Sequence, residues 1–258
     1  MEIGPRQAAL RLFLLRLEVR SQISASEREA VLSLSGQPQK VVAHHDFVRL
    51  GDELEDACLV VDGLVARFAQ LEDGSRQIVS LHVPGDMVDL YSLMLPRAPS
   101  PLQALTNVTI IKVPHRILRE LAFEHRGLSS AFWRDCVVDG AIVAQWLVNV
   151  GRRNARGRIA HLLCEMAVRY AQIGALANGS FPLAITQDQL GEALGLTSVH
   201  VNRSIKTLRE EGLIQMIRGS ATILDWAGLT SVAEFDPGYL HLPFAPERHG
   251  MANVRQVR

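Results

Sequence analysis

The chain has 258 residues, which is enough for one large domain or for two modest ones. A hydrophobic content of 48% and a charged content of 21% are ordinary for a globular protein, so the composition excludes disorder over most of the length. The formal net charge is zero, which neither favours nor excludes a nucleic-acid partner, because the distribution of charge matters more than its total.

The cysteines and the N-terminus limit the classes of protein further. Cys58, Cys136 and Cys164 are far apart and form no C-x-x-C pair, so no metal site is indicated and the cofactor is unknown. An odd, sparse set of cysteines fits a reducing compartment. The apolar run at residues 12–15 is too short for a signal peptide or a membrane span. We therefore expect a cytoplasmic protein with no membrane partner.

Residues 1–24 are predicted to form a helical extension. Leu10, Phe13, Leu14 and Leu17 have helical spacing, which indicates an amphipathic helix over residues 6–20. A second helix is predicted to begin at Ser26, where a glutamate three residues later completes a capping-box pattern.

Residues 25–118 are predicted to form a β-roll of the jelly-roll type. Short β-prone runs alternate there with Gly and Asp turns, and Asp62-Gly63 and Asp73-Gly74 are hairpin signals. Many short strands at this spacing are typical of a β-roll. The runs are residues 41–42, 58–61, 65–68, 77–82 and 108–113.

Residues 119–150 are predicted to contain a long dimerisation helix. Its apolar stripe has spacings of 4, 4, 3 and 4, and further apolar residues flank it, so the helix must bury more than one face. The partner is either a symmetry-related copy or the core of the same chain, and the spacing alone does not distinguish these. The candidate interface consists of Trp133, Val137, Ala141, Ala144 and Val148.

Residues 151–228 are predicted to form a winged helix-turn-helix. Thr186 and Gln189 form a capping-box pattern, Gly195 permits a sharp turn, and Thr197 can cap a second helix. A helix, a short glycine-containing turn and a second helix are the helix-turn-helix signature. Two predicted strands at residues 213–217 and 221–224 complete a β-wing.

The second helix has two chemically different sides. Val201, Ile205 and Leu208 fall on the predicted core side, and the opposite side resembles a recognition helix. Arg203 can grip a guanine through two hydrogen bonds, and Val199 can pack on a thymine methyl group. The candidate DNA contacts are Thr197, Ser198, Val199, His200, Asn202, Arg203, Lys206 and, on the wing, Arg218. The arginines at 152, 153, 156 and 158 are candidate phosphate contacts, and the alternative for them is a solvated charge run. The alternative for residues 186–225 is a helical hairpin with solvated charges.

Residues 185–214, ITQDQLGEALGLTSVHVNRSIKTLREEGLI, and the turn Val83-Pro84-Gly85-Asp86 carry a family resemblance. They are similar to the bacterial regulators named for the cyclic-AMP receptor protein and the fumarate–nitrate reduction regulator, the Crp/Fnr family. Residues 197–203 look like the variant of the nitrogen-fixation regulators. The resemblance covers about residues 25–235 and implies an α+β fold, a homodimer, a palindromic duplex DNA site and RNA polymerase as a partner.

The resemblance is weaker at the effector site. Cyclic-AMP binders of the family place an Arg-Ser or Arg-Thr pair in a phosphate cassette, whereas residues 98–102 here read Ala-Pro-Ser-Pro-Leu. We therefore expect no binding of cyclic AMP. The N-terminal cysteine cluster of the oxygen-sensing branch is absent too. A candidate sensor pocket is formed by Gly85, Asp86, Arg97 and Ser100.

Other functions were weighed against this one. A cupin-like metal enzyme could use His44, His45, Asp46 and Glu53, but adjacent histidines on a strand point to opposite faces. His82 is a candidate haem ligand, and Cys58 a candidate redox sensor. We therefore expect no enzymatic activity. Residues 229–258 are predicted to be a C-terminal tail that is disordered after His241. The effector, the half-site and the sign of regulation stay open.

Overall fold

The computed structural model describes residues 4–249, so the last nine residues of the predicted tail lie outside the described residues. The chain forms two compact units. Of the described residues, the N-terminal unit comprises 4–71 and 79–140, and the C-terminal unit comprises 72–78 and 141–249. None of the helices in the described part is both long enough and apolar enough to cross a bilayer.

Helices and strands follow one another mostly in separate runs along the chain, which is an α+β arrangement. The helices are α1 Pro5–Arg20, α2 Ala25–Leu32, α3 His115–Glu124, α4 Arg126–Arg152, α5 Ala155–Gln172, α6 Gln187–Leu194, α7 Ser198–Glu210 and α8 Trp226–Ala233. The strands are β1 Gln37–Val41, β2 Asp46–Val48, β3 Asp56–Asp62, β4 Val65–Gln70, β5 Arg76–His82, β6 Leu102–Ala104, β7 Val108–Pro114, β8 Ser180–Pro182, β9 Ile214–Ile217 and β10 Ser220–Ile223. Short 3₁₀ helices cover Leu90–Leu93, Pro237–Leu240 and Pro246–His249.

Two sheets build the β-roll. One has the order β1-β7-β3 and the other the order β2-β6-β4-β5. Strand β3 is buried on both faces, since Cys58 and Val60 join the cluster inside the roll while Ala57 and Leu59 join a second cluster with α1. The period of two along the strand explains this division, and the predicted β-roll is thereby confirmed.

The two predicted hairpin turns have different outcomes. Asp73-Gly74 joins β4 to β5, which are neighbours in one sheet. Asp62-Gly63 instead joins strands of different sheets, so the predicted hairpin there is wrong. The side chain of Asp62 accepts a hydrogen bond from the Thr109 backbone at 2.6 Å, and the Leu64 backbone donates to Thr106 at 3.0 Å. These bonds to the start of β7 and to the residues just before it replace those of a hairpin.

The N-terminal helix α1 is part of the core. Leu10, Phe13 and Leu17 are buried, and the ring of Phe13 stacks on that of Phe132 with centroids 6.2 Å apart. Burying each such side chain contributes roughly 1.5–3 kcal/mol. The predicted capping box at Ser26 is wrong by two residues, because Ser24 and Glu27 form it.

The C-terminal unit is centred on α5, which packs against α7 and α8 and is buried along most of its length. The predicted disorder after His241 is wrong for part of that segment, since the ring of Phe244 packs on Trp226 with centroids 4.9 Å apart. Just before it, the hydroxyl of Tyr239 donates to the buried carboxylate of Glu165 at 2.8 Å. Trp146 donates to the same carboxylate at 3.0 Å. Residues 229–249 therefore continue the folded unit.

Candidate nucleic-acid interface

Local hydrogen bonds fix the two helices of the helix-turn-helix. The hydroxyl of Thr186 accepts from the backbone of Gln189 at 3.1 Å, and the side chain of Gln189 accepts from the backbone of Thr186 at 2.9 Å. Gly195 ends α6 in the left-handed region at φ +60°. A Cβ on Gly191 would lie 2.5 Å from the Leu196 carbonyl oxygen, so only glycine permits this close turn.

Three of the four arginines predicted to contact phosphate are engaged inside the unit. Arg158 donates to the carbonyl oxygens of Leu194 at 2.9 Å and Gly195 at 3.2 Å, where α6 leaves carbonyls without helical partners. Arg153 donates to the carbonyl of Ala233 at 2.8 Å, and Arg156 forms an ion pair with a glutamate at the end of α7. Their observed role is to hold the helix-turn-helix together.

The N-terminal turn of α7 uses two of its predicted DNA contacts for internal bonds. Thr197 caps the helix by accepting from the His200 backbone, and its hydroxyl lies 3.3 Å from the imidazole Nδ1 of the same residue. The hydroxyl of Ser198 donates to Asp188 on α6 at 2.7 Å. Both residues therefore orient α7 against α6. The core side of α7 is narrower than predicted, since Ile205 is only half-buried.

The outer face of α7 is open. Val199 is 74% exposed, and the side chains of Asn202 and Arg203 make no hydrogen bond or ion pair with the described residues. Lys206 lies 3.7 Å from Glu210, a contact between two exposed groups that contributes little. The polar groups that can read a base therefore remain available on this face.

A concave surface of about 650 Å³ runs along this face of α7. Four of the predicted DNA contacts, Val199, Asn202, Arg203 and Lys206, line it together. Arg209 lines it too and was missed, although its position three residues after Lys206 on the helical wheel could have revealed it. The remaining lining residues are Ile185, Gln187, Leu190, Ile205 and Met216. Arg218 is exposed on the turn between β9 and β10 and is not among these residues.

The four residues of the predicted sensor pocket each contact different residues of the N-terminal unit. Asp86 is buried and forms an ion pair with Arg16 on α1. Gly85 lies against α1, where a Cβ would come within 2.7 Å of Leu12. Arg97 pairs with Glu53 at the surface, and Ser100 accepts a hydrogen bond from Arg67. Asp86, Arg97 and Ser100 thus each contact a different arginine or glutamate, and the shared pocket stays a prediction.

Arg67 fills the space around the segment between β5 and β6. Its guanidinium donates to the hydroxyl of Tyr91 at 2.7 Å, to Ser100 at 3.0 Å and to the Val88 carbonyl at 2.5 Å. The guanidinium carbon also lies 4.9 Å from the centre of the Tyr91 ring, a cation–π distance. This arginine therefore binds groups of its own chain.

His82, the candidate haem ligand, and Cys58, the candidate redox sensor, are both buried inside the N-terminal unit. The imidazole of His82 is buried, with Nε2 at 2.9 Å from the Ser80 hydroxyl and Nδ1 at 3.7 Å from Asp86. Burial raises the pKa of the Cys58 thiol well above its ordinary value. Across residues 4–249, no group of three or more His, Cys, Asp or Glu side chains is arranged to hold a metal ion.

Two family models match the chain, one in its N-terminal half and one in its C-terminal half. The cyclic nucleotide-binding domain matches residues 38–125, and the Crp-like helix-turn-helix domain matches residues 157–232. The fumarate and nitrate reduction regulatory protein of Vibrio cholerae is 23% identical over 211 residues, which is 82% of this chain and 84% of that protein. The chain belongs to the Crp/Fnr family of transcription regulators.

A second curated relative and a solved structure are also similar to this chain. The anaerobic regulatory protein of Haemophilus influenzae is 28% identical over 181 residues, 70% of each chain. The solved structure of FixK2 from Bradyrhizobium japonicum has a TM-score of 0.71 at 22% identity and covers 77% of this chain and 98% of that one. The predicted combination of β-roll, long helix and winged helix-turn-helix is therefore confirmed as the family's fold.

The long helix of this Crp/Fnr regulator has two apolar faces. One face is buried within the chain and includes Leu128, Val138 and Ile142. The opposite face is exposed, with Val137 at 68% and Leu147 at 74%. The predicted interface residues Trp133, Ala144 and Val148 lie on this exposed face, and Ala141 lies half-buried at its edge.

Proposed function

We propose that this Crp/Fnr regulator is a homodimer whose two α7 helices enter successive major grooves of a palindromic duplex. The observation that carries this proposal is the open face of α7, where Arg203 and Asn202 have no partner among the described residues and share a concave surface with Lys206 and Arg209. Arginine and asparagine are the side chains that grip guanine and adenine through paired hydrogen bonds. Lys206, Arg209 and Arg218 supply phosphate contacts.

The exposed face of α4 supports the dimer. An apolar stripe of this length on a solvent-facing helix is rare in a monomer and typical of a protein interface. Its members repeat with helical spacing, so a second copy of α4 can pack along the whole stripe. Two-fold symmetry then sets two half-sites about 34–36 Å apart.

The sensor domain of the proposed regulator does not use cyclic AMP. Two observations support this. The carboxylate of Asp86 forms an ion pair with Arg16, and the guanidinium of Arg67 donates hydrogen bonds to Tyr91, Ser100 and the Val88 carbonyl. A cyclic nucleotide would have to displace these buried polar contacts, each of which costs free energy to leave unpaired. The regulator acts in the cytoplasm, contacts RNA polymerase and catalyses no reaction, in line with relatives that are themselves named as regulatory proteins.

Selection from a pool of random duplexes tests the function. Purified full-length protein without added ligand should enrich a palindrome whose half-sites are about one helical turn apart. A matched selection with Arg203→Ala should lose the preference at one base pair in each half-site. Enrichment of no sequence, both by the protein alone and after addition of cell metabolites, would contradict the proposal.

A further inference from the structure

We propose that the N-terminal unit contains a binding pocket for a compact apolar anion, formed by the 3₁₀ helix Leu90–Leu93, α3 and α4. The cavity has a volume of about 350 Å³. Small-molecule sites have volumes of about 300–1,000 Å³ and are mostly apolar with a few placed polar groups. The residues that line it are Leu90, Tyr91, Leu93, Met94, Leu95, Arg119, Ala122, Ser129, Phe132, Trp133 and Cys136.

The side chains that line the cavity favour an apolar and preferably aromatic ligand. Three aromatic side chains, Tyr91, Phe132 and Trp133, line the cavity, and the hydroxyl of Tyr91 is already held by Arg67. Burial, and then the nearby Asp135, raise the pKa of Cys136 to about 12. The thiol is therefore neutral at physiological pH and adds to the apolar surface rather than acting as a nucleophile.

The one charged lining side chain selects an anion. Arg119 donates to the Leu93 carbonyl through Nε at 3.3 Å and through Nη2 at 3.0 Å, which fixes its guanidinium at the cavity. Its Nη1 makes no hydrogen bond within the part of the chain that the structure describes, and no carboxylate belongs to the lining. A carboxylate or sulfonate on the ligand can therefore accept a charge-assisted hydrogen bond there.

The position of the cavity on α4 favours a small molecule over a second copy of the chain. Ser129, Phe132 and Cys136 lie about 80–140° around the helix axis from the centre of the exposed stripe. Trp133 belongs to both surfaces, so a bound ligand would touch the 3₁₀ helix and the edge of the dimer interface together. An effect of the ligand on the dimer rests on the proposed function, whereas the binding itself does not.

Two fluorescent probes of matched shape test the pocket on the full-length protein. 8-Anilinonaphthalene-1-sulfonate carries an anionic group, and N-phenyl-1-naphthylamine is its uncharged counterpart. Arg119→Gln should raise the dissociation constant of the sulfonate about tenfold, the loss expected for one charge-assisted hydrogen bond at a partly exposed site. It should leave binding of the uncharged probe unchanged. Arg116→Gln, on the same helix but outside the lining, is the matched control and should change neither.

A second variant tests whether the probes enter this cavity. Ala122→Phe fills it and should abolish binding of both probes, while sedimentation and circular dichroism check that the protein stays folded in its usual oligomeric state. Equal weakening of both probes by Arg119→Gln, or unchanged binding to Ala122→Phe, would overturn the proposal. So would probe binding that occurs only when the dimer dissociates, since the cavity would then belong to the interface between two copies. None of these outcomes depends on DNA binding.

Discussion

At the residue scale, the two exposed arginines of α7 are expected to play different parts. Arg203 lies in the first half of the helix, which faces base edges in this class of motif, and Arg209 lies near its end. Replacing Arg203 with alanine should cost about 1–3 kcal/mol of specific binding and relax the preference at one base pair. Quantitative binding to a panel of single-base variants of the selected site measures both effects.

Arg209→Ala is the matched control for that change. It should weaken binding about equally to all duplexes and reduce the slope of log K against log salt by about one, because it removes one phosphate contact. An Arg203→Ala protein with an unchanged base preference would show that the base is read elsewhere on α7.

The buried histidine of α5 makes the C-terminal unit sensitive to acid. His161 lies between the rings of Phe235 and Tyr239, with centroids 5.2 and 6.0 Å away, and its Nδ1 has no hydrogen-bond partner in the described residues. Burial, with a smaller effect of Arg153, lowers its pKa to about 4. The unfolded chain binds the proton near pH 6.5, so stability is full above that pH and falls as the pH drops towards about 4.

His161→Phe should remove this dependence while keeping an aromatic ring in place. Between pH 7 and pH 5 the variant should lose about 2 kcal/mol less unfolding free energy than the natural protein, as follows from the two pKa values. Urea unfolding at both pH values measures the difference, with the exposed His45→Gln as control. A natural protein and a His161→Phe variant with the same pH dependence would show that folding does not change the pKa of His161.

At the element scale, the stripe on α4 decides the oligomeric state. Ala144 lies on the exposed apolar face, so Ala144→Glu, alone or with Ala141→Glu, places a carboxylate against its symmetry mate. We expect monomers in analytical sedimentation at concentrations where the natural protein is a dimer. Ala8→Glu adds the same charge to the exposed face of α1 and should leave the dimer intact. A dimeric Ala144→Glu protein with normal helix content would place the interface elsewhere.

The elements that could be predicted from the sequence are those fixed by local bonds. The capping box at Thr186, the turn at Gly195 and the long helix each depend on residues within a few positions of one another. The three-residue strands β2 and β6 could not be predicted, because each depends on pairing with strands that are distant in sequence: β2 pairs with β6, and β6 pairs with β4 as well.

The candidate site divides in the same way. A helical wheel found the open face of α7, because the period of the helix determines it. It did not find that Arg158 and Arg153 bind backbone carbonyls, since those carbonyls lie 36 and 80 residues further along the chain. The arrangement of the sensor residues escaped prediction for the same reason, as Asp86 meets an arginine 70 positions away.

At the scale of the whole molecule, one arginine connects three parts of the N-terminal unit. Arg16 of α1 forms ion pairs with Asp86 in the turn after β5 and with Asp135 and Asp139 on α4. Burial lowers its pKa, but Asp135, Asp86 and Asp139 together raise it well above the ordinary value, so the guanidinium stays charged. The predicted N-terminal extension is thus joined to the β-roll and to the long helix by charge as well as by apolar packing.

Removing Arg16 should lower the stability of the N-terminal unit far more than removing a surface arginine would. Arg16→Ala leaves the buried carboxylate of Asp86 without its arginine and leaves Asp135 with Arg20 as its ion-pair partner. Breaking a buried pair in this way costs about 3–5 kcal/mol. Hydrogen exchange at the amides of β3 and β7 reports the stability of the N-terminal unit directly. Arg11→Ala, on the exposed side of the same helix, is the control and should change it by less than about 0.5 kcal/mol. Equal protection of the β3 and β7 amides in the two variants would mean that apolar contacts alone hold α1 in place. It would also mean that the carboxylate of Asp86 can lose Arg16 and bind another cation at little cost in stability.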